Sequence, residues 1–179
     1  TGVHAGLRAN ERIYLLTQVR PARSVLGALR RIEERDRPLL REWLAAFSAE
    51  EALDDANDLH VDDQIDRRLR FESSGMYLWE VEGEPTSLAG YGGPTSHGIR
   101  LGPVYTPPEA RGNGYASALV AALSQLLLDE GRTFVFLFTD LANPTSNALY
   151  QRLGYGPVED RAIWSFRPSP AAGGAGRDG

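Results

Sequence analysis

Cysteine is absent from this chain of 179 residues, and so is lysine. The first absence excludes disulfides, thiolate metal sites and covalent catalysis through a protein thiol. The second excludes a Gly-x-x-x-x-Gly-Lys-Ser/Thr nucleotide loop and leaves arginine as the sole basic side chain. Histidine occurs three times, at His4, His60 and His97, too scattered for metal-ligand spacing, so no metal is expected. No apolar run approaches the roughly 20 residues that span a bilayer. Residues 1–12 also lack the basic-then-apolar layout of a signal peptide, and the expectation is a cytoplasmic protein without a membrane partner. A Gly-x-Ser-x-Gly hydrolase elbow is missing. The net charge of −5 argues against a nucleic-acid partner, which needs a clustered basic surface.

What is present suits one folded domain: 42% hydrophobic residues in a chain of this length is enough for a sizeable core. Residues 12–19 read as a strand, followed by a Pro21 connector, and residues 25–32 as a second strand. Asp36 stands where a helix cap is needed, ahead of Leu39, Leu40, Trp43, Leu44 and Phe47 at helical spacing. Ile65, Leu69 and Phe71 give a following helix its apolar side. Residues 76–81, 87–92 and 99–105 are short β-rich runs that read as an antiparallel meander. Residues 133–139 (Thr-Phe-Val-Phe-Leu-Phe-Thr) form a nearly continuous apolar strand, expected in the sheet interior and buried on both faces. Asn143-Pro144 opens a helix that Gly154 stops, and residues 160–166 form a last strand. Trp79, Tyr155 and Trp164 are assigned to packing. The division expected is a leading strand and connector over 1–22, a main domain over 23–167, and a disordered tail over 168–179, rich in Pro, Gly and Ala. Thr1 in place of a start methionine, with a strand so close behind it, suggests the C-terminal portion of a longer protein.

Residues 111–116 (Arg-Gly-Asn-Gly-Tyr-Ala) follow the strand at 99–105 and its Thr-Pro-Pro-Glu exit, and lead directly into an amphipathic helix at 116–130. Glycines at Gly112 and Gly114 let the backbone turn sharply and approach an anion, while the helix start presents unpaired amides and the positive end of its dipole. The stripe of Ala116, Leu119, Val120, Leu123, Leu126 and Leu127 is core packing. A dinucleotide fold would want a third glycine inside a βαβ unit, which is missing here.

The stretch resembles the acyl-coenzyme A loop of the GNAT superfamily of N-acetyltransferases, whose Gln/Arg-x-x-Gly-x-Gly/Ala pattern is met by Arg111, Gly114 and Ala116. Asn-Pro-Thr-Ser-Asn-Ala-Leu-Tyr-Gln-Arg-Leu-Gly-Tyr at 143–155 is a second match to that family. The resemblance implies an α+β fold in α/β/α layers: a mixed, mostly antiparallel twisted sheet flanked by helices and splayed between the strands at 99–105 and 133–139. It implies acetyl-coenzyme A as cofactor. The diphosphate would be held by Arg111, Gly112, Asn113, Gly114, Tyr115, Ala116 and Ser117, and the pantetheine arm by backbone near Val104, Tyr105 and Thr106. Asn143, Asn147 and Tyr150 fall at spacings of four and three and share one helix face. By resemblance Tyr150 protonates the departing thiolate and the asparagines contact the cofactor.

Direct transfer to an amine is expected, since no cysteine offers a covalent way-station. The acceptor is a small-molecule or peptide amine whose identity the sequence does not specify, and the oligomeric state is equally open. Self-acetylation on an internal lysine is impossible. Residues 50–66 carry eight carboxylates, from Glu50 and Glu51 to Asp66; they read as a solvated face or, by resemblance, as the border of the acceptor entrance. The strand before the loop offers Gly98, Ile99, Arg100 and Leu101 where the family often has a basic glutamate, so the general base is left among Glu80, Glu82, His97 and Asp140. The alternative reading is an acyl-coenzyme A sensor or assembly module of the same fold without turnover.

Overall fold

The computed structural model describes residues 3–51 and 61–168. Seven strands form one sheet: β1 (Val3–Leu16), β2 (Ala28–Arg31), β3 (Gly75–Val81), β4 (Glu84–Gly92), β5 (Gly98–Tyr105), β6 (Phe134–Asp140) and β7 (Gly156–Pro168). Their spatial order is β2-β3-β4-β5-β6-β1-β7, antiparallel throughout except for the parallel pair β5 and β6. Helices α1 (Arg37–Glu50) and α2 (Val61–Arg70) pack on one face with Met76, Leu78, Leu88 and Tyr105. On the other face α3 (Tyr115–Asp129) and α4 (Pro144–Arg152) close over Tyr14, Leu16, Ile99, Val135 and Leu137. This is the layered, mostly antiparallel α+β architecture expected. No described helix is long and apolar enough to cross a membrane.

The splay is visible in the ladder. β5 and β6 are in register only from Gly98↔Phe134 to Arg100↔Phe136. Beyond that point Gly102 has φ 141° and Pro103 has no N–H to give, so the two strands part. β5 keeps its other neighbour, with a register shift between Ala89 and Tyr91. Arg68 reaches from α2 to this irregularity, its Nη1 donating to the carbonyls of Gly75 (3.3 Å), Tyr91 (3.3 Å) and Gly102 (3.4 Å). Gly90 makes room for it, since a β-carbon there would run into the guanidinium. Burial, and then the charges of Arg100 and Arg67, push the Arg68 guanidinium down to about 10.

Several elements differ from expectation for identifiable reasons. The first strand starts at Val3 and stops at Leu16, and it lies inside the sheet between β6 and β7. β2 is shorter than 25–32, because Gly27 turns at φ 121° against the Trp79 indole. Helix α2 ends at Arg70, which leaves Phe71 beyond it and 56% exposed. Trp79 and Tyr155 are packed, but Trp164 is 53% exposed: it sits opposite Leu7 on a stretch of β1 and β7 that β6 does not reach. β6 is interior to the sheet yet buried on one face alone, through Val135, Leu137 and Thr139; Phe134, Phe136 and Phe138 on the other face are half-buried. β7 extends to Pro168, so of the expected tail residues 169–179 lie outside the described residues, as do residues 52–60 of the acidic segment.

Candidate active site

The loop between β5 and α3 begins with a 3-10 turn over Pro108–Ala110 and then takes two glycines through the left-handed region, Gly112 at φ 81° and Gly114 at φ 87°. Side chains other than glycine disfavour that region, and a β-carbon on Gly112 would meet nothing within 4 Å, so the loop is open on that side. Asn113 ties the bend to itself by donating to the carbonyls of Ala110 (3.0 Å) and Arg111 (3.3 Å). Gly114 is the N-cap of α3, no side chain caps the helix, and the first internal bond runs from the Ala118 N–H to the Gly114 carbonyl at 3.0 Å. The amides of Tyr115, Ala116 and Ser117 therefore have no acceptor within the helix, which is the arrangement an anion requires.

Arg111 does not extend into that opening. Its Nε donates to the Thr106 carbonyl (2.9 Å), its Nη2 to both oxygens of Glu50 (2.6 and 2.8 Å), and its guanidinium lies 5.9 Å from the Tyr105 ring centre. The side chain braces the loop against the end of α1. Ser87 takes up the Tyr105 carbonyl (3.1 Å) and pairs with the Thr106 hydroxyl (2.7 Å). The edge of β5 facing β6, Val104 included, has no ladder partner past Arg100.

In α4, Asn143 is the N-cap and accepts from the Ser146 N–H at 3.1 Å. Asn147 gives its two amide hydrogens to the carbonyls of Asp140 (2.8 Å) and Asn143 (2.7 Å) and accepts from the Tyr14 hydroxyl (3.0 Å), which in turn accepts from Gln151 (2.8 Å). The Asn147 side chain is thus spent on joining α4 to β6 and β1, which fixes the helix that carries Tyr150. That tyrosine is 8% exposed, with its ring edge-on to Tyr155 at 5.7 Å and near Tyr14 at 6.3 Å. Its hydroxyl makes no hydrogen bond with a described residue. Burial first, and then the Glu51 charge, hold the phenol well above its ordinary range, so it stays protonated.

Glu51 follows the last residue of α1, and its charge acts on the Tyr150 phenol. Burial, followed by the charges of Asp140, Glu50 and Glu11, raises its carboxyl. Of the four base candidates, Glu80 is paired with Arg30 at 2.7 Å, Glu82 occupies the β3–β4 turn at φ 53°, and His97 lies in the loop before β5, whose opposite end leads to the glycine bend. Asp140, at the end of β6, is the one beside this group. Sequence reasoning had Glu51 only as one of eight acidic side chains; nothing local singles it out, because its neighbours come from β1, β6 and α4.

A model of the acetyltransferase (GNAT) family matches residues 37–155. The chain belongs to this family. Among solved structures it is similar to a GNAT-family protein from Novosphingobium aromaticivorans DSM 12444, with TM-score 0.64 and 17% identity over 92% of this chain and 66% of that one. AAC(6')-Iy, in complex with the bisubstrate analog CoA-S-monomethyl-acetylneamine, gives 0.63 and 18% over 82% of this chain and 100% of that one. A Clostridium acetobutylicum protein with acetyl-CoA gives 0.61 and 15% over 75% and 92%. The chain spans just under two thirds of the Novosphingobium chain's length. At these identities the likeness is one of fold. The cofactor of GNAT acetyltransferases is acetyl-coenzyme A, and the residues present fit it: the free amides at the start of α3 and the open side of Gly112 suit a diphosphate, and the unpaired edge of β5 suits an amide-bearing arm.

Proposed function

We infer that the chain is an N-acetyltransferase acting on an amine acceptor by direct transfer. The observation that carries this reading is the Tyr150 phenol: its ring is buried beside Tyr14 and Tyr155, burial and then the Glu51 charge hold it protonated, and its hydroxyl makes no hydrogen bond with a described residue. A hydroxyl with no partner among the described residues is free to donate to a bound group.

Bound acetyl-coenzyme A supplies an activated acetyl thioester. The amides of Tyr115, Ala116 and Ser117 and the bend at Gly112, Asn113 and Gly114 would hold its diphosphate, with Arg111 bracing the bend. The β5 edge at Val104, Tyr105 and Thr106 would take the arm, and Asn143 and Asn147 would keep α4 in place beside it. Tyr150 would give its phenolic proton to the leaving sulfur and recover one from solvent. A free thiol titrates near 8.5 and a phenol near 10, and burial raises the Tyr150 phenol further, so it is protonated and available at neutral pH. Glu51 and Asp140 accept the proton that the incoming ammonium has to lose before its nitrogen can attack. One proton is released overall, with the N-acetyl amine and the free thiol.

A cytoplasmic setting without membrane attachment belongs to the same proposal, since acetyl-coenzyme A is made and consumed there. A thiol-release assay over a panel of amines, with the products weighed by mass spectrometry, tests the reading. Acetylation of an amine with one thiol released per product supports it. Cofactor binding with no amine acetylated supports a sensor of the same fold instead.

A further inference from the structure

Helix α2 buries Val61 and Ile65, with Leu69 packed beside them, and the same helical stripe passes through position 68, where the residue is arginine. The stripe therefore delivers a cation to the sheet where a core side chain would be expected. The Arg68 Nη1 donates to the carbonyls of Gly75 on β3 (3.3 Å), Tyr91 on β4 (3.3 Å) and Gly102 on β5 (3.4 Å), one from each of three neighbouring strands. It fills the space beside Gly90, where a β-carbon would overlap it. Two like charges, Arg100 and Arg67, act against it. Its partners in the sheet are main-chain carbonyls, which accept from a cation more strongly than from a neutral donor.

The carbonyl taken from β5 belongs to the stretch that breaks the ladder. Tyr91 is paired with Leu101 and Ala89 with Val104, so Gly90 alone stands opposite Gly102 and Pro103. The extra residue changes the phase of the strand. Ile99 and Leu101 before it and Val104 after it all pack toward α3 and α4, while Tyr105 joins the α1 and α2 cluster. In unbroken alternation Leu101 and Val104 would fall on opposite faces. An inserted residue is left out of the ladder, and a carbonyl there without a donor is costly. Arg68 supplies the donor. The segment that follows, from Val104 to Thr106, is the one that would take the arm of coenzyme A, whereas the diphosphate site lies beyond it at the start of α3.

We propose that Arg68 is a positioning residue for the cofactor arm: it holds the Gly102 carbonyl out of the ladder and so keeps the β5 edge from Val104 to Thr106 turned toward the amides of the pantetheine. It touches neither the cofactor nor the reacting atoms. The role rests on the cofactor placement above, and adds to it a side chain from α2, on the opposite face of the sheet from α3. One consequence separates it from general support of the fold. Loss of Arg68 falls on the binding of the arm and spares that of the diphosphate, whose cradle belongs to a different loop.

The test is calorimetric titration of the unaltered protein, Arg68→Met, Arg68→Lys and Gly90→Ala with coenzyme A and, by displacement, with ADP, which carries a diphosphate and no arm. Melting temperatures are taken on the same samples. Arg68→Met keeps an apolar stem and removes the donor; it is expected to weaken coenzyme A binding about tenfold and to leave ADP affinity within about twofold. Arg68→Lys retains a charged donor and recovers part of the loss. Gly90→Ala displaces the guanidinium with Arg68 still in place, and shows the same selective loss. Should Arg68→Met not fold, the other two variants give the same comparison. Equal losses for the two ligands, or a lowered melting temperature with both affinities intact, overturn the assignment. Coenzyme A bound no more tightly than ADP by the unaltered protein removes the β5 edge as the place of the arm, and this role with it. Binding of neither ligand removes the cofactor placement as well.

Discussion

Arg111 and Glu50 are joined by two hydrogen bonds, of 2.6 and 2.8 Å, from one guanidinium nitrogen to both carboxylate oxygens. The contact ties the glycine bend before α3 to the last turn of α1. Glu50 therefore couples the residues that would hold the diphosphate to the helix end that carries Glu51. An arginine engaged in this way acts on the bend rather than directly on an anion.

That role separates two outcomes. With Arg111 as a brace, Arg111→Ala and Glu50→Gln each weaken coenzyme A binding by about fivefold, roughly 1 kcal/mol, and the double variant is little worse than either alone. With Arg111 as a direct ligand, Glu50→Gln would free it and tighten binding. Calorimetric titration of the three variants decides between them.

Ser117 lies in the first turn of α3, where an added carboxylate is favourable to the helix dipole. Ser117→Asp is expected to leave the melting temperature unchanged or slightly higher while weakening coenzyme A binding at least about tenfold through like-charge repulsion. A variant that binds the cofactor normally would move the diphosphate site away from this helix end.

Asn147 supports α4 through three hydrogen bonds to two carbonyls and the Tyr14 hydroxyl. Asn147→Ala strands those partners and should cost about 2–3 kcal/mol by denaturant unfolding. Tyr14→Phe, which removes two bonds and leaves the Asn147 Oδ1 and the Gln151 Nε2 unmatched, should cost about 1–2 kcal/mol. A loss of turnover in Asn147→Ala at full stability would instead mark a direct contact with cofactor.

Asp36 accepts from Arg30 at two positions (both 2.8 Å) and from the Glu33 N–H (2.7 Å), and these bonds, Arg30 first, hold its carboxyl below the ordinary range. The stability it contributes is present above the unfolded value near pH 4 and is lost as pH falls through the lower folded value. Asp36→Asn should cost about 3 kcal/mol at neutral pH, the low end for a broken buried pair because Arg30 retains Glu80, and should flatten the acid limb of the stability curve. An acid limb identical to that of the unaltered protein contradicts the assignment.

The local parts of this fold were legible because their signals are local. Asn143-Pro144 opens α4 where its capping chemistry requires, and the glycine bend turns through positive φ at both glycines. Asp36 stands at the N-cap of α1 without capping it, because Arg30 from the preceding strand takes its carboxylate. What sequence did not reveal depends on strand order. Alternation at Phe134, Phe136 and Phe138 read as burial on both faces, since nothing local says that α1 and α2 stop short of β6. The placement of β1 between β6 and β7 brings Glu11 beside Asp140, and with it the electrostatic setting of Glu51. Partners so far apart in the chain leave no pattern in either segment alone.

The most direct measurement is thiol release by Tyr150→Phe beside the unaltered protein, with coenzyme A affinity and melting temperature taken on the same samples. Because the hydroxyl makes no hydrogen bond with a described residue, its removal should leave both of the latter in place while kcat falls by about a hundredfold to ten-thousandfold. Turnover by Tyr150→Phe at the unaltered rate would contradict the assignment of Tyr150 as the proton donor.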